Sequence, residues 1–176
     1  MKTISLPGLS SLPSTRMSVV IGNLIEWYDF ALFGYLSYFM SQQFFPKNEP
    51  NSLLFVLLLF ACGLISRVIG GIAFALWGDT RNRDQAVRTA IIMMSVSSLL
   101  IGCLPNYSRI GVTAPILLLL LRITQGLSAG GQYGGALSQL CQRHPKRNQK
   151  ATACAPAYIY SSLGLLLANL VCTLSF

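Results

Sequence analysis

Long apolar stretches alternate with short polar segments along the whole chain. The apolar stretches cover residues 17–40, 53–77, 86–104, 113–140 and 153–176. The hydrocarbon core of a bilayer is about 30 Å thick, and a helix of about 20 apolar residues crosses it. The pattern therefore predicts an all-α integral membrane protein with about five transmembrane helices. Residues 1–16, rich in Ser, Thr and Pro, are expected to form a disordered cytoplasmic leader ahead of the bundle at 17–176.

The composition agrees with a membrane-embedded chain. Of its 176 residues, 53% are hydrophobic and only 10% are charged, whereas soluble domains usually carry about 25% charged residues. The net charge of +8 raises the question of nucleic acid, but the basic residues lie in loops between apolar spans, a pattern that orients membrane proteins. The sequence therefore predicts the lipid bilayer as a partner and no nucleic acid.

The basic residues also predict the orientation. Nine of them fall on one side of the predicted spans and two, Lys47 and Arg109, on the other. Because cytoplasmic loops carry the excess of Lys and Arg, the amino terminus is expected to be cytoplasmic, in the cell inner membrane. The nine are Lys2, Arg16, Arg81, Arg83, Arg88, Arg143, Lys146, Arg147 and Lys150.

The fourth span carries an unusual number of glycines. Gly126, Gly130 and Gly134 follow one another at four-residue spacing, and Gly131 and Gly135 form a second row. Small residues at this spacing let a neighbouring membrane helix approach closely. The pattern predicts a helix packed on two sides by other helices.

Four charged residues lie inside the spans: Glu26, Asp29, Arg67 and Arg122. Each would cost about 2.5–3.5 kcal/mol at the centre of a lipid-facing helix, so a polar cavity or mutual pairing is expected. At 1.5 Å per residue, Glu26, Asp29 and Arg122 each lie roughly 14–18 Å from the end at which their span enters. We therefore expect the two acids to meet Arg122 in one central pocket, where the arginine holds an anionic substrate group.

Two alternatives remain open for these charges. They are also consistent with ion pairs that only fix helix packing. Arg67, in the inner third of its span, suits either such a pair or contacts with phosphate groups and loops.

Four motifs in order resemble the metabolite:proton symporters of the major facilitator superfamily, which carry proline or betaine, citrate, α-ketoglutarate and shikimate. The resemblance covers residues from Val20 to about Lys150. The motifs are Gly22-Asn23-x-x-Glu26-Trp27-Tyr28-Asp29-Phe30, Arg67-x-x-Gly70-Gly71, Gly78-Asp79-x-x-x-Arg83 and Arg122-x-x-Gln125-Gly126-x-Ser128-x-Gly130-Gly131.

The resemblance implies an incomplete amino-terminal six-helix half of the major facilitator fold, since the family has about twelve spans and binds substrate between its halves. It implies substrate or proton-coupling roles for Glu26, Asp29, Arg122, Asn23 and Gln125. It also implies a cytoplasmic gating loop at Gly78, Asp79 and Arg83.

Several positions depart from the family pattern. Asn82 replaces the loop glycine; since Asn tolerates a left-handed backbone, the turn is expected to survive. Gln132 replaces a glutamate, which removes one titratable group. Lys150 stands where the next basic loop normally has glycine.

The sequence therefore predicts the amino-terminal fragment of a proton-coupled transporter for an organic acid, betaine or amino acid. A separate chain supplying the missing spans is an open alternative for the partners. The rival interpretation is a truncated, non-transporting remnant or a protein that only packs against other helices. An enzyme is not expected, because no Ser/His or Cys/His pair lies at membrane depth, and the five scattered cysteines, without C-x-x-C, predict no metal site and no cofactor.

Overall fold

The structure is a computed structural model that describes residues 12–46, 48–143 and 147–175, with side-chain surroundings in 21–46, 48–134 and 158–174. All of the elements in these residues are helices. They are α1 (Leu12–Tyr35), α2 (Ser37–Phe44), α3 (Ser52–Thr80), α4 (Arg83–Gly102), α5 (Tyr107–Ile110), α6 (Thr113–Arg143) and α7 (Arg147–Ser175).

The first predicted span corresponds to two helices that continue one another. α1 and α2 are separated at Leu36, whose ψ of 4° lies outside the helical range. The Leu36 amide nevertheless donates to the Leu32 carbonyl at 2.9 Å, and the Met40 amide donates to the Leu36 carbonyl at 2.8 Å. The helical path therefore crosses Leu36 with only a local distortion.

The helices extend beyond the apolar stretches that predicted them. α1 begins at Leu12, within the predicted leader, and α7 begins at Arg147, within the predicted basic loop. Hydropathy marks the part of a helix that lies in hydrocarbon, whereas residues such as Arg, Gln and Lys sustain a helix in water as well. Residues 1–11 of the leader and residues 144–146 of the basic loop lie outside the described residues.

The junction of α3 and α4 corrects one expectation. Asn82 has φ −149° and ψ 115°, and no non-glycine residue of the described chain has a positive φ. The left-handed turn expected at Asn82 is therefore wrong. The side chain instead caps α4, accepting hydrogen bonds from the Asp84 amide at 3.0 Å and the Gln85 amide at 3.3 Å, as capping asparagines commonly do.

Three of the described helical segments are long and apolar enough to cross a membrane: Ser52–Thr80, Arg83–Gly102 and Thr113–Gly134. A shorter apolar segment runs from Tyr158 to Leu174. The two other predicted spans fall partly on residues 12–20 and 147–157, whose side chains are not described.

The bundle consists of two closely packed groups. α6 packs along α3 and α4, and α1 packs along α7, whereas α1 makes few backbone contacts with α4 and α6. α6 is the central helix, since half of its apolar window is buried against 22% for α3. Side chains that reach from α1 to the α3–α4–α6 group therefore carry much of the connection between the two groups.

Glycines bring α3 and α6 together. A Cβ on Gly126 would collide with the Gly63 carbonyl, and one on Gly130 would collide with the Arg67 carbonyl. On α3, a Cβ on Gly70 would overlap the backbone of Leu127. Close backbone approach through small residues is typical of membrane helix pairs, and it fixes the position of Arg67 relative to α6.

The other glycines of the predicted rows differ. Gly131 also faces α3, where a Cβ would collide with the Phe74 ring. Gly134 is exposed, and no described atom lies within 4 Å of a Cβ built on it. The surroundings of Gly135 lie outside the described residues.

Candidate functional site

Glu26 and Arg67 form an ion pair between α1 and α3. Glu26 is 1% exposed, and its Oε1 accepts from Arg67 Nη2. The Arg67 guanidinium also lies against two rings, with Cζ 5.2 Å from the centroid of Trp27 and 5.9 Å from that of Tyr133, within the range of a cation–π contact. We call Glu26, Arg67, Trp27 and Tyr133 the Glu26 network.

Asp29, one helical turn further along α1, meets different partners. Gln125 Nε2 donates to Asp29 Oδ2 and, at 2.9 Å, to Ser98 Oγ. Ser98 Oγ in turn donates to Asp29 Oδ2 at 3.2 Å. On its other side the Gln125 amide oxygen accepts from Arg122 Nη1. We call Asp29, Ser98, Arg122 and Gln125 the Asp29 network.

Arg122 is buried, and its positive charge is not paired directly with Asp29. It is 5% exposed, and its Cζ lies 3.3 Å from the centroid of the Phe33 ring. Its Nε and Nη2 have no hydrogen-bond partner among the described residues. No ion pair within 4 Å joins it to Asp29; the neutral amide of Gln125 stands between the two charges. An arginine held in this way has donors to offer to an anionic group.

A small cavity of about 20 Å³ separates the two networks. Both acids and both arginines contribute to its wall. Its lining is Glu26, Asp29, Phe30, Phe60, Gly63, Arg67, Met94, Arg122, Gln125, Gly126 and Ala129. The structure thus brings all four charged residues of the spans to one place.

A large cavity of about 430 Å³ opens from the Asp29 network toward α2 and the end of α4. Its walls are mostly apolar and aromatic, with polar groups at the Asp29 network and at Gln43 and Asn106. The lining is Asp29, Leu32, Phe33, Leu36, Phe39, Met40, Gln43, Phe44, Ser98, Ile101, Gly102, Leu104, Asn106, Arg122 and Gln125. Small-molecule sites usually have this size and this mixture of groups.

The sequence-predicted residues fall into three places. Glu26, Asp29, Arg122 and Gln125 meet around the small cavity. Asn23 is buried on α1 and donates to Ser161 Oγ on α7 at 2.6 Å, so it joins α1 to α7. In the predicted gating loop, Gly78 and Asp79 lie in the last turn of α3, and Arg83, the first residue of α4, forms an ion pair with Asp79.

The structure alters one predicted pairing. Glu26 pairs with Arg67, which agrees with the ion-pair alternative for Arg67. The positions of Glu26 and Arg67 along their predicted spans already place the two residues at similar depths. At 1.5 Å per residue, Arg67 lies roughly 21 Å from the amino-terminal end of its predicted span, and a flexible arginine side chain spans the remaining offset to Glu26.

Some residues of the site have no distinctive sequence signal. Ser98 lies in a serine-containing stretch with Ser95 and Ser97, and only tertiary packing selects the one that reaches Asp29. Ser161 and Phe33 lie in similarly ordinary apolar segments. Gln132 is 3% exposed, and its Nε2 has no partner among the described residues.

Residues 15–140 match the family described as sugar (and other) transporter. Over 154 residues the chain is 36% identical to the glycine betaine/proline/ectoine/pipecolic acid transporter OusA of Dickeya dadantii, covering 84% of this chain and 31% of that protein. It is 43% identical over 138 residues to a putative proline/betaine transporter of Staphylococcus haemolyticus, covering 76% of this chain and 30% of that protein. It is 36% identical over 130 residues to the proline/betaine transporter of Escherichia coli K12, covering 73% of this chain and 26% of that protein.

The chain therefore spans about a third or less of the length of these curated relatives. No solved structure matches it significantly.

Proposed function

Because the chain belongs to the sugar (and other) transporter family of the major facilitator superfamily, we propose that it forms the amino-terminal part of a proton-coupled secondary transporter for a small organic solute. Of the solute classes that the motifs imply, organic acids, betaines and amino acids, the names of the relatives favour a zwitterion such as proline or a betaine.

The observation that carries the proposal is the arrangement of charges at the floor of the large cavity. Gln125 presents its amide nitrogen to Asp29 and its amide oxygen to Arg122. A zwitterion has the same polarity, with a cationic nitrogen group for Asp29 and a carboxylate for Arg122. The substrate would then replace the contacts of the Gln125 amide, so that both buried charges keep a partner before and after binding.

Glu26 is the residue we propose for the proton. Its Oε1 is engaged by Arg67, whereas its Oε2 is buried and has no hydrogen-bond partner among the described residues. A proton on Oε2 therefore leaves the contact at Oε1 in place while it removes the negative charge that attracts Arg67. Loss of that charge weakens the link between α1 and α3.

The junction of α3 and α4 is the proposed cytoplasmic gate. Gly78 and Asp79 end one membrane helix and Arg83 begins the next, and the Asp79–Arg83 ion pair spans the turn between them. The membrane is proposed to be the inner membrane, with the amino terminus in the cytoplasm. Alkaline phosphatase fused after Asn106 is expected to be active and fused after Arg81 inactive; the reverse pattern contradicts this orientation.

The test of the substrate site is equilibrium binding of radiolabelled proline, glycine betaine and a dicarboxylate to the purified chain in detergent. We expect saturable binding of the zwitterions, lost in Arg122→Met and retained in Arg109→Met, which removes an exposed arginine from α5. Binding retained in Arg122→Met returns Arg122 to a packing role.

Uptake by cells that express this chain alone is expected to be near background, because translocation by carriers of this type needs two halves that move against each other. Strong proton-driven accumulation by this chain alone contradicts the requirement for further spans. In a full-length version, Arg122→Ala is expected to abolish uptake while membrane insertion, measured by fractionation, stays intact.

A further inference from the structure

We propose that the small cavity is a binding site for water, which joins the Glu26 network to the Asp29 network. The cavity offers about 20 Å³ of room for the centre of a water molecule, so it is large enough to hold water.

The wall of the small cavity supplies the hydrogen-bonding groups that a buried water needs. Glu26 Oε2 is an acceptor without a partner among the described residues, and Arg122 Nε and Nη2 are donors without one. Both side chains are more than nine-tenths buried and both line the cavity. Buried polar groups left without a partner are unfavourable, and a bridging water removes that cost.

The charges around the small cavity select water over an ion. Glu26 and Asp29 carry two formal negative charges, and Arg67 and Arg122 carry two positive ones, so the formal charges of the lining cancel. A neutral molecule that both donates and accepts suits such a wall. Water donates to Glu26 Oε2 and accepts from an Arg122 N–H.

This water would connect two groups of helices. Glu26 is on α1, which packs with α7, and Arg122 is on α6, which packs with α3 and α4. The proposal does not rest on transport, so failure of the substrate test above leaves it standing, and its own failure leaves the substrate test unaffected.

The experiment is NMR of the full chain in detergent micelles with ¹⁵N-labelled arginine. We expect a nuclear Overhauser cross-peak between water and the Arg122 Hε, with the sign of a long-lived bound water. In Gly63→Ala the cross-peak is expected to be lost, because Gly63 lines the small cavity and a methyl there takes the space of the water.

Gly63→Ala is a mild change, since a Cβ at Gly63 meets only the Arg122 carbonyl, at 3.7 Å. Gly34→Ala is the matched control: it changes a glycine on α1 with no described atom within 4 Å of the new Cβ, and the cross-peak is expected to remain. If Gly63→Ala gives little folded protein, Ala129→Val fills the cavity from α6. Absence of the cross-peak in the unaltered chain, or its persistence in the filled variants, overturns the proposal.

Discussion

The acids of the two charged networks, Glu26 and Asp29, lie one turn apart on α1, but their negative charges are compensated in different ways. Glu26 is paired directly with Arg67, whose guanidinium is also stacked against two rings. Asp29 and Arg122 are not paired directly and share the neutral amide of Gln125. The first arrangement fastens α1 to α3, whereas the second leaves two opposite charges that a ligand of matching polarity can engage.

The difference follows from the neighbouring helices. α3 carries Arg67 at a position where glycines allow α3 and α6 to touch, and the side chain then extends toward α1. α6 carries Arg122 and Gln125 three residues apart, on one face, so the amide forms a hydrogen bond with its own helix's arginine and also reaches Asp29. A direct ion pair and an amide-bridged pair of charges are thus each built around one acid and one arginine, and the spacing of the residues decides which of the two forms.

The largest expected effect comes from breaking the ion pair between Glu26 and Arg67. Arg67→Met leaves Glu26 buried without its partner, and removal of one member of a buried pair costs about 3–5 kcal/mol. We expect a large drop in the thermal unfolding temperature in detergent, mostly restored in Arg67→Lys. Arg88→Met, at an exposed position on α4, is the control; equal effects at positions 67 and 88 would show that the ion pair contributes nothing.

The second test moves the helix that carries Arg67. A Cβ at Gly130 collides with the Arg67 carbonyl and lies 2.6 Å from the Gly71 amide nitrogen, so Gly130→Ala is expected to destabilise the bundle by about 1–3 kcal/mol. Gly134→Ala, one turn on and facing open space, is expected to be neutral or to stabilise by up to about 1 kcal/mol. Similar unfolding temperatures for the two variants would contradict the close α3–α6 contact.

The third test weakens the Asp29 network without removing a charge. Ser98→Ala deletes the hydroxyl that contacts Asp29 and Gln125, and a hydrogen bond of this kind contributes about 0.5–1.5 kcal/mol. Ser95→Ala is the matched control, because the Ile91 carbonyl of its own helix is the only hydrogen-bond partner of its hydroxyl among the described residues. The unfolding temperature is expected to fall for Ser98→Ala and to stay nearly unchanged for Ser95→Ala.

The smallest effect is expected at the surface. Asp79→Asn removes an exposed ion pair with Arg83 at four-residue spacing, and such pairs contribute about 0.2–1 kcal/mol. The difference in unfolding temperature from the unaltered chain should shrink further in high salt. A drop in unfolding temperature as large as that of Arg67→Met would mean that the Asp79–Arg83 ion pair is a main contribution to the stability of the bundle.

Much of the architecture follows from the sequence because bilayers impose simple rules. Apolar length predicted the membrane helices, and the four ordered motifs predicted the family; the all-helical partial half of a major facilitator fold and the resemblance to proline/betaine carriers are confirmed. The cost of a charge in hydrocarbon also required that Glu26, Asp29, Arg67 and Arg122 find polar surroundings. Their functional roles stay predictions.

Tertiary structure alone decided which side chains contact one another. Depth along a helix is set by sequence position, but the direction a side chain faces relative to its neighbours depends on how helices rotate and cross. Glycines allow α3 and α6 to approach closely, which directs Arg67 rather than Arg122 to Glu26, and packing of α4 against α6 selects Ser98 from its neighbouring serines. Asn82 shows the same limit locally: its side chain caps a helix, so the backbone has no need of the left-handed turn that residue type alone suggested.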